Sequence, residues 1–217
     1  MTSPAEAKRL VVVSNRLPII LNRTGAREWN VKPGSGGLVT AMGPVLKHRG
    51  GLWIGWLGIP EHDCPSDEYL KDIISAGTAQ SGYSLRYINL CKEDIEKYYY
   101  GFSNETLWPL FHDLFTHCKF DQGCWEAYQR VNRKFAEEVI KHTDLDDYIW
   151  VHDYQLILVA RELRRLGFDR QVGFFLHIPF PPLDIFLKLP WRFQILDALL
   201  EYDLIGFQTV RDRKNFI

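Results

Sequence analysis

The stretch Asp147–Leu156, D-Y-I-W-V-H-D-Y-Q-L, constrains this chain most. Tyr148 to Val151 is a short apolar run of β-formers and reads as a buried strand. His152 and Asp153 follow at once. From Tyr154 to Leu166, apolar residues recur at Leu156, Ile157, Val159, Ala160 and Leu163, which is helical spacing. A histidine and a carboxylate therefore sit where a strand gives way to a helix. In an open parallel α/β sheet, that carboxyl edge is where ligands bind.

The same alternation runs through the chain. Leu10–Val13, Leu52–Leu57, Tyr83–Leu90, Val172–Leu176 and Asp203–Gly206 read as further strands. Helical spacing follows Gly37, spans Ser66–Ala79 with Ser66 as cap, and is strongest over Trp125–His142, where Tyr128, Val131, Phe135, Val139 and Ile140 form one stripe. Lys92–Tyr100 and Leu107–Phe115 are helical, with Gly101–Asn104 expected to break them apart. Ile185–Leu189 and Phe193–Leu200 are expected as short helices, and Thr209 as the cap of another. Ile19–Val31 is a loop or a short hairpin. The pattern predicts an α/β fold: a Rossmann-like, mostly parallel sheet flanked by helices, with residues 1–217 as one domain.

Several function classes drop out. A net charge of −1 gives no argument for nucleic acid or an anionic membrane. No apolar run approaches the ~20 residues of a transmembrane helix, and Thr2–Arg9 is too polar for a signal core. Cys64, Cys91, Cys118 and Cys124 lack C-x-x-C spacing and read as reduced thiols in a cytoplasmic protein. Asp144 and Asp146 form D-x-D, but they precede their strand, at the end away from the active edge. They read as solvated charge, so no metal and no cofactor is expected.

Each remaining polar group carries a ligand-binding reading beside a structural one. Gly34-Ser35-Gly36-Gly37 opens a helix, so its N–H groups either attract a phosphate or simply make a tight turn. Arg16, just past a buried strand and two residues before Pro18, is placed for bidentate bonds to a phosphate or is a solvated arginine. Tyr99 to Trp108 is aromatic with a polar centre, suited to phosphate or sugar contact and equally to core packing. Asp153 and His177 both follow buried strands, where a carboxylate orients a hydroxyl and a histidine bonds a hydroxyl or a developing charge. His152 is assigned to structure, and His112, His117 and His142 have no evident partner.

Taken together, S-N-R-L-P (Ser14–Pro18), G-S-G-G-L (Gly34–Leu38), G-L-W-I-G-W (Gly51–Trp56), Y-Y-G-F-S-N-x-x-L-W-P-x-F-H (Tyr99–His112), Y-x-x-V-N-x-x-F-A (Tyr128–Ala136), W-V-H-D-Y-Q-L (Trp150–Leu156), F-F-L-H-I-P-F-P (Phe174–Pro181) and G-F-Q-T (Gly206–Thr209) resemble the trehalose-6-phosphate synthase family. The eight motifs occur in the family's order and cover essentially the whole chain. Glucosylglycerol-phosphate synthases and the synthase-like halves of trehalose-phosphate phosphatases share much of this pattern.

The resemblance implies a retaining glycosyltransferase of GT-B type, in which two Rossmann-like domains face a cleft. It implies transfer of glucose from a nucleotide-glucose, usually UDP-glucose, to glucose 6-phosphate without a metal. Carried over residue by residue, Arg16 and Tyr99 would hold the acceptor phosphate, and Asp153 would bind acceptor hydroxyls. Trp108 and Ile178 would shape the acceptor pocket. Gly36 and Gly37 would approach the donor diphosphate, and His177 would contact the donor glucose, making Asp153 and His177 the catalytic pair. Retention would proceed on one face, the donor phosphate itself taking the acceptor proton. The family's second domain is not seen, so this chain is expected to be an N-terminal acceptor-binding half, inactive alone, with self-association through the uncovered face left open. The alternatives are a non-catalytic regulatory or scaffolding module of a trehalose-forming complex, or a glucosylglycerol-phosphate synthase.

Overall fold

A computed structural model describes residues 9–25 and 29–217. The amino-terminal stretch read above as too polar for a signal core lies, up to residue 8, outside the described residues. Six strands form one sheet: β1 (Leu10–Arg16), β4 (Gly51–Trp56), β5 (Ser84–Ile88), β6 (Tyr148–His152), β7 (Val172–Leu176) and β8 (Leu204–Phe207). Their order is β5-β4-β1-β6-β7-β8, and every pairing is parallel. The strand order reverses between β1 and β6, which is where an open sheet leaves a crevice at its carboxyl edge. The segment expected as loop or hairpin is a hairpin, β2 (Ile19–Arg23) against β3 (Trp29–Pro33); residues 26–28 of its tip lie outside the described residues.

Alternation along β1 divides the core. Val11 and Val13 face the helices Gln122–His142 and Val159–Arg165 on one side of the sheet. Leu10 and Val12 face Gly37–Arg49 and Asp67–Ser81 on the other. Burial on both faces explains why β1, β4 and β7 read as continuous apolar runs.

Four expectations about helices need correction. Gly101–Asn104 does not break the chain: a π-helix runs without interruption over Ile95–Leu107. Gly101 is there for packing, since a Cβ would lie 2.6 Å from Cys124 Sγ of the neighbouring helix. The helix expected over Tyr154–Leu166 begins as a 3-10 turn at Tyr154–Leu156, and its α-helix spans only Val159–Arg165. Side chains of Gln122–His142 take the backbone groups of that turn. Tyr128 Oη donates to Tyr154 O (2.6 Å) and accepts from Ile157 N (3.2 Å), while Asn132 bonds Gln155 O (3.0 Å) and Leu158 N (3.0 Å). These bonds offer the chain an alternative to the α-helical ladder. Ile140 is exposed rather than part of the buried stripe. Asp121, capping Cys124 N at 2.8 Å, starts that helix three residues before Trp125. Ser66 holds its expected cap position without a side-chain bond.

Candidate active site

A cleft of about 500 Å³ opens at the carboxyl ends of β1 and β6. Arg16, Gly36, Gly37, Tyr99 and Asp153 all line it, together with Asn15 and His152. Residues from four sequence-distant segments thus meet at the strand-order reversal.

Arg16 is aimed by backbone irregularity. The pairing of β1 with β4 shifts register between Val13 and Arg16, so Arg16 comes opposite Trp56. A bulge re-aims a side chain in this way. Gly55 admits it, because a Cβ there would lie 2.8 Å from Arg16 C and Leu17 N. The guanidinium then stacks 4.7 Å from the Trp56 ring centroid. Its other flank is Gly58, where a Cβ would lie 2.2 Å from Arg16 Nη2. No carboxylate pairs with Arg16 among the described residues, and burial lowers its pKa from the ordinary arginine value. A desolvated cation without a counter-ion is set up for an anionic ligand.

The glycine loop folds back onto the same segment. Gly34 N donates to Pro18 O at 2.7 Å, and a Cβ on Gly34 would lie 2.9 Å from Pro18 C. Gly36 occupies the N-cap of Gly37–Arg49 at φ 139°, with no side-chain cap and no acidic residue in the first turn. The helix therefore presents uncapped N–H groups to the cleft.

Asp153 is the strained member. Its φ of 78° and ψ of 165° lie in a region that non-glycine residues rarely occupy. The flip ends β6 and breaks the side-chain alternation, which lets both His152 and Asp153 reach the cleft. Asp153 Oδ1 accepts from Tyr154 N (2.9 Å) and His177 N (3.1 Å), while Oδ2 has no protein partner among the described residues. Desolvation raises the carboxyl pKa, opposed by those two N–H bonds and by His177. Tyr154 Oη, just behind, donates to Asn104 Oδ1 at 2.9 Å.

His177 stands beside this carboxylate, with Nε2 3.0 Å from His152 Nδ1. Burial lowers its pKa, against the pull of Asp153. His152 is buried, and desolvation brings it down to about 3, so its ring is neutral near pH 7. His112 also gains a partner: its Nδ1 lies 2.7 Å from Trp108 O, and the two rings lie 4.1 Å apart. His177, Trp108 and Ile178 are not among the residues that line the cleft. Trp108 is exposed, and Ile178 packs into the core.

The family assignment now has its geometry. Residues 8–217 match the model for glycosyltransferase family 20. The chain belongs to this family. Among curated members it is 45% identical, over 99% of its length, to trehalose-6-phosphate synthase from Mycolicibacterium gilvum (strain PYR-GCK), of which it covers 42%. Its fold is similar to that of an alpha,alpha-trehalose-phosphate synthase (UDP-forming) from Burkholderia xenovorans in complex with glucose-6-phosphate, with a TM-score of 0.76 and 35% identity. That match covers 96% of this chain and 42% of the other. It is similar too to the E. coli trehalose-6-phosphate structure bound with UDP-2-fluoro glucose, with a TM-score of 0.78 and 38% identity over 96% of this chain and 41% of the other. The chain thus spans about two-fifths of the length of these family 20 relatives, matching a GT-B fold in its N-terminal part.

Sequence reasoning passed over Trp56 and Gly58, and it assigned His152 to structure. The first two sit in G-L-W-I-G-W and just beyond it, but only the bulge at β1 reveals that they flank Arg16. His152 stands next to Asp153, and strand alternation argues against two neighbours sharing one cleft. The positive φ that overrides alternation has no signature in an aspartate.

Proposed function

We propose that this chain supplies the acceptor side of a retaining glycosyltransferase that moves glucose from UDP-glucose to glucose 6-phosphate, forming trehalose 6-phosphate. One observation carries the reading. An unpaired, desolvated arginine, a strained carboxylate and a glycine-capped helix start line a single cleft at the strand-order reversal. The relatives' bound glucose-6-phosphate and UDP-2-fluoro glucose support it as the matching pair of substrates.

In this reading Arg16 and Tyr99 hold the acceptor phosphate, and Asp153 orients acceptor hydroxyls through its free oxygen. The N–H groups at Gly36 and Gly37 face the donor diphosphate. His177 meets the donor glucose. Trp108 and Ile178 bound the acceptor region from outside the cleft lining. Among the described residues no serine, cysteine or lysine nucleophile is hydrogen-bonded to a base in this cleft, so the chemistry rests on positioning and charge stabilisation. The bond from donor C1 to phosphate oxygen breaks, the acceptor oxygen bonds to C1 on the same face, and its proton passes to the leaving phosphate.

Calorimetry of the folded 217 residues with glucose 6-phosphate tests the acceptor half of the proposal, with binding expected and its absence fatal. The same sample, given UDP-glucose and glucose 6-phosphate, is expected to release no UDP. Transfer needs both reacting atoms held near ~3–3.5 Å with water excluded, and the groups described here build one wall. Sustained disaccharide formation by these residues alone would overturn that division of labour.

A further inference from the structure

His152 carries no role in the reading above, yet it is buried and lines the cleft. It is 2% exposed at the end of β6. Its ring packs against Trp150 and His177, with centroids 4.9 and 5.2 Å away. Nδ1 faces His177 Nε2 at 3.0 Å, a hydrogen-bond distance, and Nε2 is buried with no partner among the described residues.

Two neutral imidazoles in this arrangement share one proton between the facing nitrogens, and the alternatives differ in what they leave behind. If His177 Nε2–H donates, His152 must carry its own proton on Nε2, as a buried N–H with no acceptor. If His152 Nδ1–H donates, its Nε2 is a bare lone pair, and the proton of His177 moves to Nδ1. An orphaned buried N–H is the rarer and harder case, and an unfilled acceptor the more tolerable one. The bond made by one ring nitrogen fixes the tautomer of the other.

We infer that His152 is a positioning residue that locks His177 in the tautomer protonated on Nδ1, so that His177 offers an N–H to an oxygen of the donor sugar. The inference rests on the reading of His177 as the donor-glucose contact. It makes His177 a fixed hydrogen-bond donor rather than a base, in keeping with a transfer in which the acceptor proton goes to the departing phosphate. The low pKa of His152 agrees, since a charged ring would donate from both nitrogens and impose no choice.

The test uses the protein at the full length of its relatives, labelled with ¹⁵N-histidine, and reads the His177 tautomer by NMR alongside steady-state kinetics. The wild type is expected to show His177 protonated on Nδ1. His152→Phe keeps a ring but removes the donor. It is expected to mix the two tautomers and lower kcat about tenfold or more, with acceptor KM nearly unchanged. His152→Asn, whose amide can donate from the Nδ1 position, is expected to recover both signals. A wild-type His177 protonated on Nε2 would overturn the inference, and that spectrum needs no variant to fold. So would a His152→Phe protein whose tautomer is unmoved. A tautomer that shifts while kcat stays constant would uphold the lock and sink the reading of His177 as a donor contact.

Discussion

Strand β6 is bracketed by two aspartates, and they live in opposite circumstances. Asp147, at the amino end, is nearly fully buried and saturated. Arg9 reaches it with Nη2 at 2.6 Å and Nε at 2.8 Å, and Asp144 N donates to it at 2.7 Å. These bonds outweigh desolvation, and its pKa falls below the ordinary carboxylate range. Asp153, five residues past the strand start, has two backbone N–H donors on one oxygen, no cation paired with it among the described residues, a strained φ and a raised pKa. The amino edge of the sheet satisfies its charge within the protein. The carboxyl edge leaves charge capacity unsatisfied, on both Asp153 and Arg16, where a ligand can complete it. Unmet polar groups at a strained position mark a functional edge better than residue type does.

The comparison is broken most directly at Asp153. Asp153→Asn keeps an oxygen for Tyr154 N and His177 N, so the fold should survive, as circular dichroism would report. Turnover of the protein at the length of its relatives should fall about a hundredfold or more, because a positioned contact is lost. Near-normal kcat would remove Asp153 from the chemistry and leave its strain unexplained.

Arg16→Ala comes next. It removes a charge-assisted phosphate contact worth about 1.5–3 kcal/mol, or roughly 10- to 150-fold in glucose 6-phosphate affinity by calorimetry. Gly58→Ala should reproduce part of this loss without touching the charge, since its Cβ would take the space of the guanidinium. An affinity unaffected by Gly58→Ala would mean that the Trp56–Gly58 slot does not aim Arg16.

The amino edge should respond in the other currency. Asp147→Ala removes three hydrogen bonds, one to a backbone N–H and two to Arg9. Arg9 is itself 38% exposed, so solvent screens part of that gain. A loss of about 1–2 kcal/mol in urea unfolding is expected, with glucose 6-phosphate affinity unchanged. A large affinity change would mean that the two edges are coupled through β6.

What was legible in the sequence divides along the same line. The strands and their parallel arrangement follow from apolar runs such as Leu10–Val13 and Val172–Leu176, because burial on both faces writes itself directly into composition. The roles of Gly101, Gln155 and His152 were not legible. Each depends on an element distant in sequence: Cys124 against Gly101, Asn132 taking Gln155 O, and His177 against His152. Arg16, Gly36, Gly37, Tyr99 and Asp153 of the cleft lining were named from strand ends and motif order, whereas Trp108, His177 and Ile178 were expected beside them and lie outside that lining. Their aim was not, because the bulge before Arg16 and the flip at Asp153 are tertiary outcomes that local propensity does not encode.

The smallest expected effect is also the sharpest discriminator, since it sets the two aspartates against each other in one measurement. A carboxyl held lower in the native state than in the unfolded chain adds stability above its unfolded pKa, near ~3.9, and loses it as pH falls through the folded value. That is Asp147. Asp147→Asn should therefore be less stable than wild type at pH 7, with the gap closing below about pH 3.9. A carboxyl held higher in the native state does the reverse: the native protein binds the extra proton, so stability declines as pH rises from ~3.9 through the folded value. That is Asp153, where burial dominates. Asp153→Asn, which cannot ionise, should be slightly more stable than wild type at pH 7 and equal to it in acid. Thermal melts of both variants between pH 3 and pH 8 would read the two differences, expected with opposite signs and both shrinking toward acid. If Asp153→Asn were instead destabilised at neutral pH to the same degree as Asp147→Asn, both carboxylates would be structural, and the cleft would have no carboxylate held in reserve for a ligand.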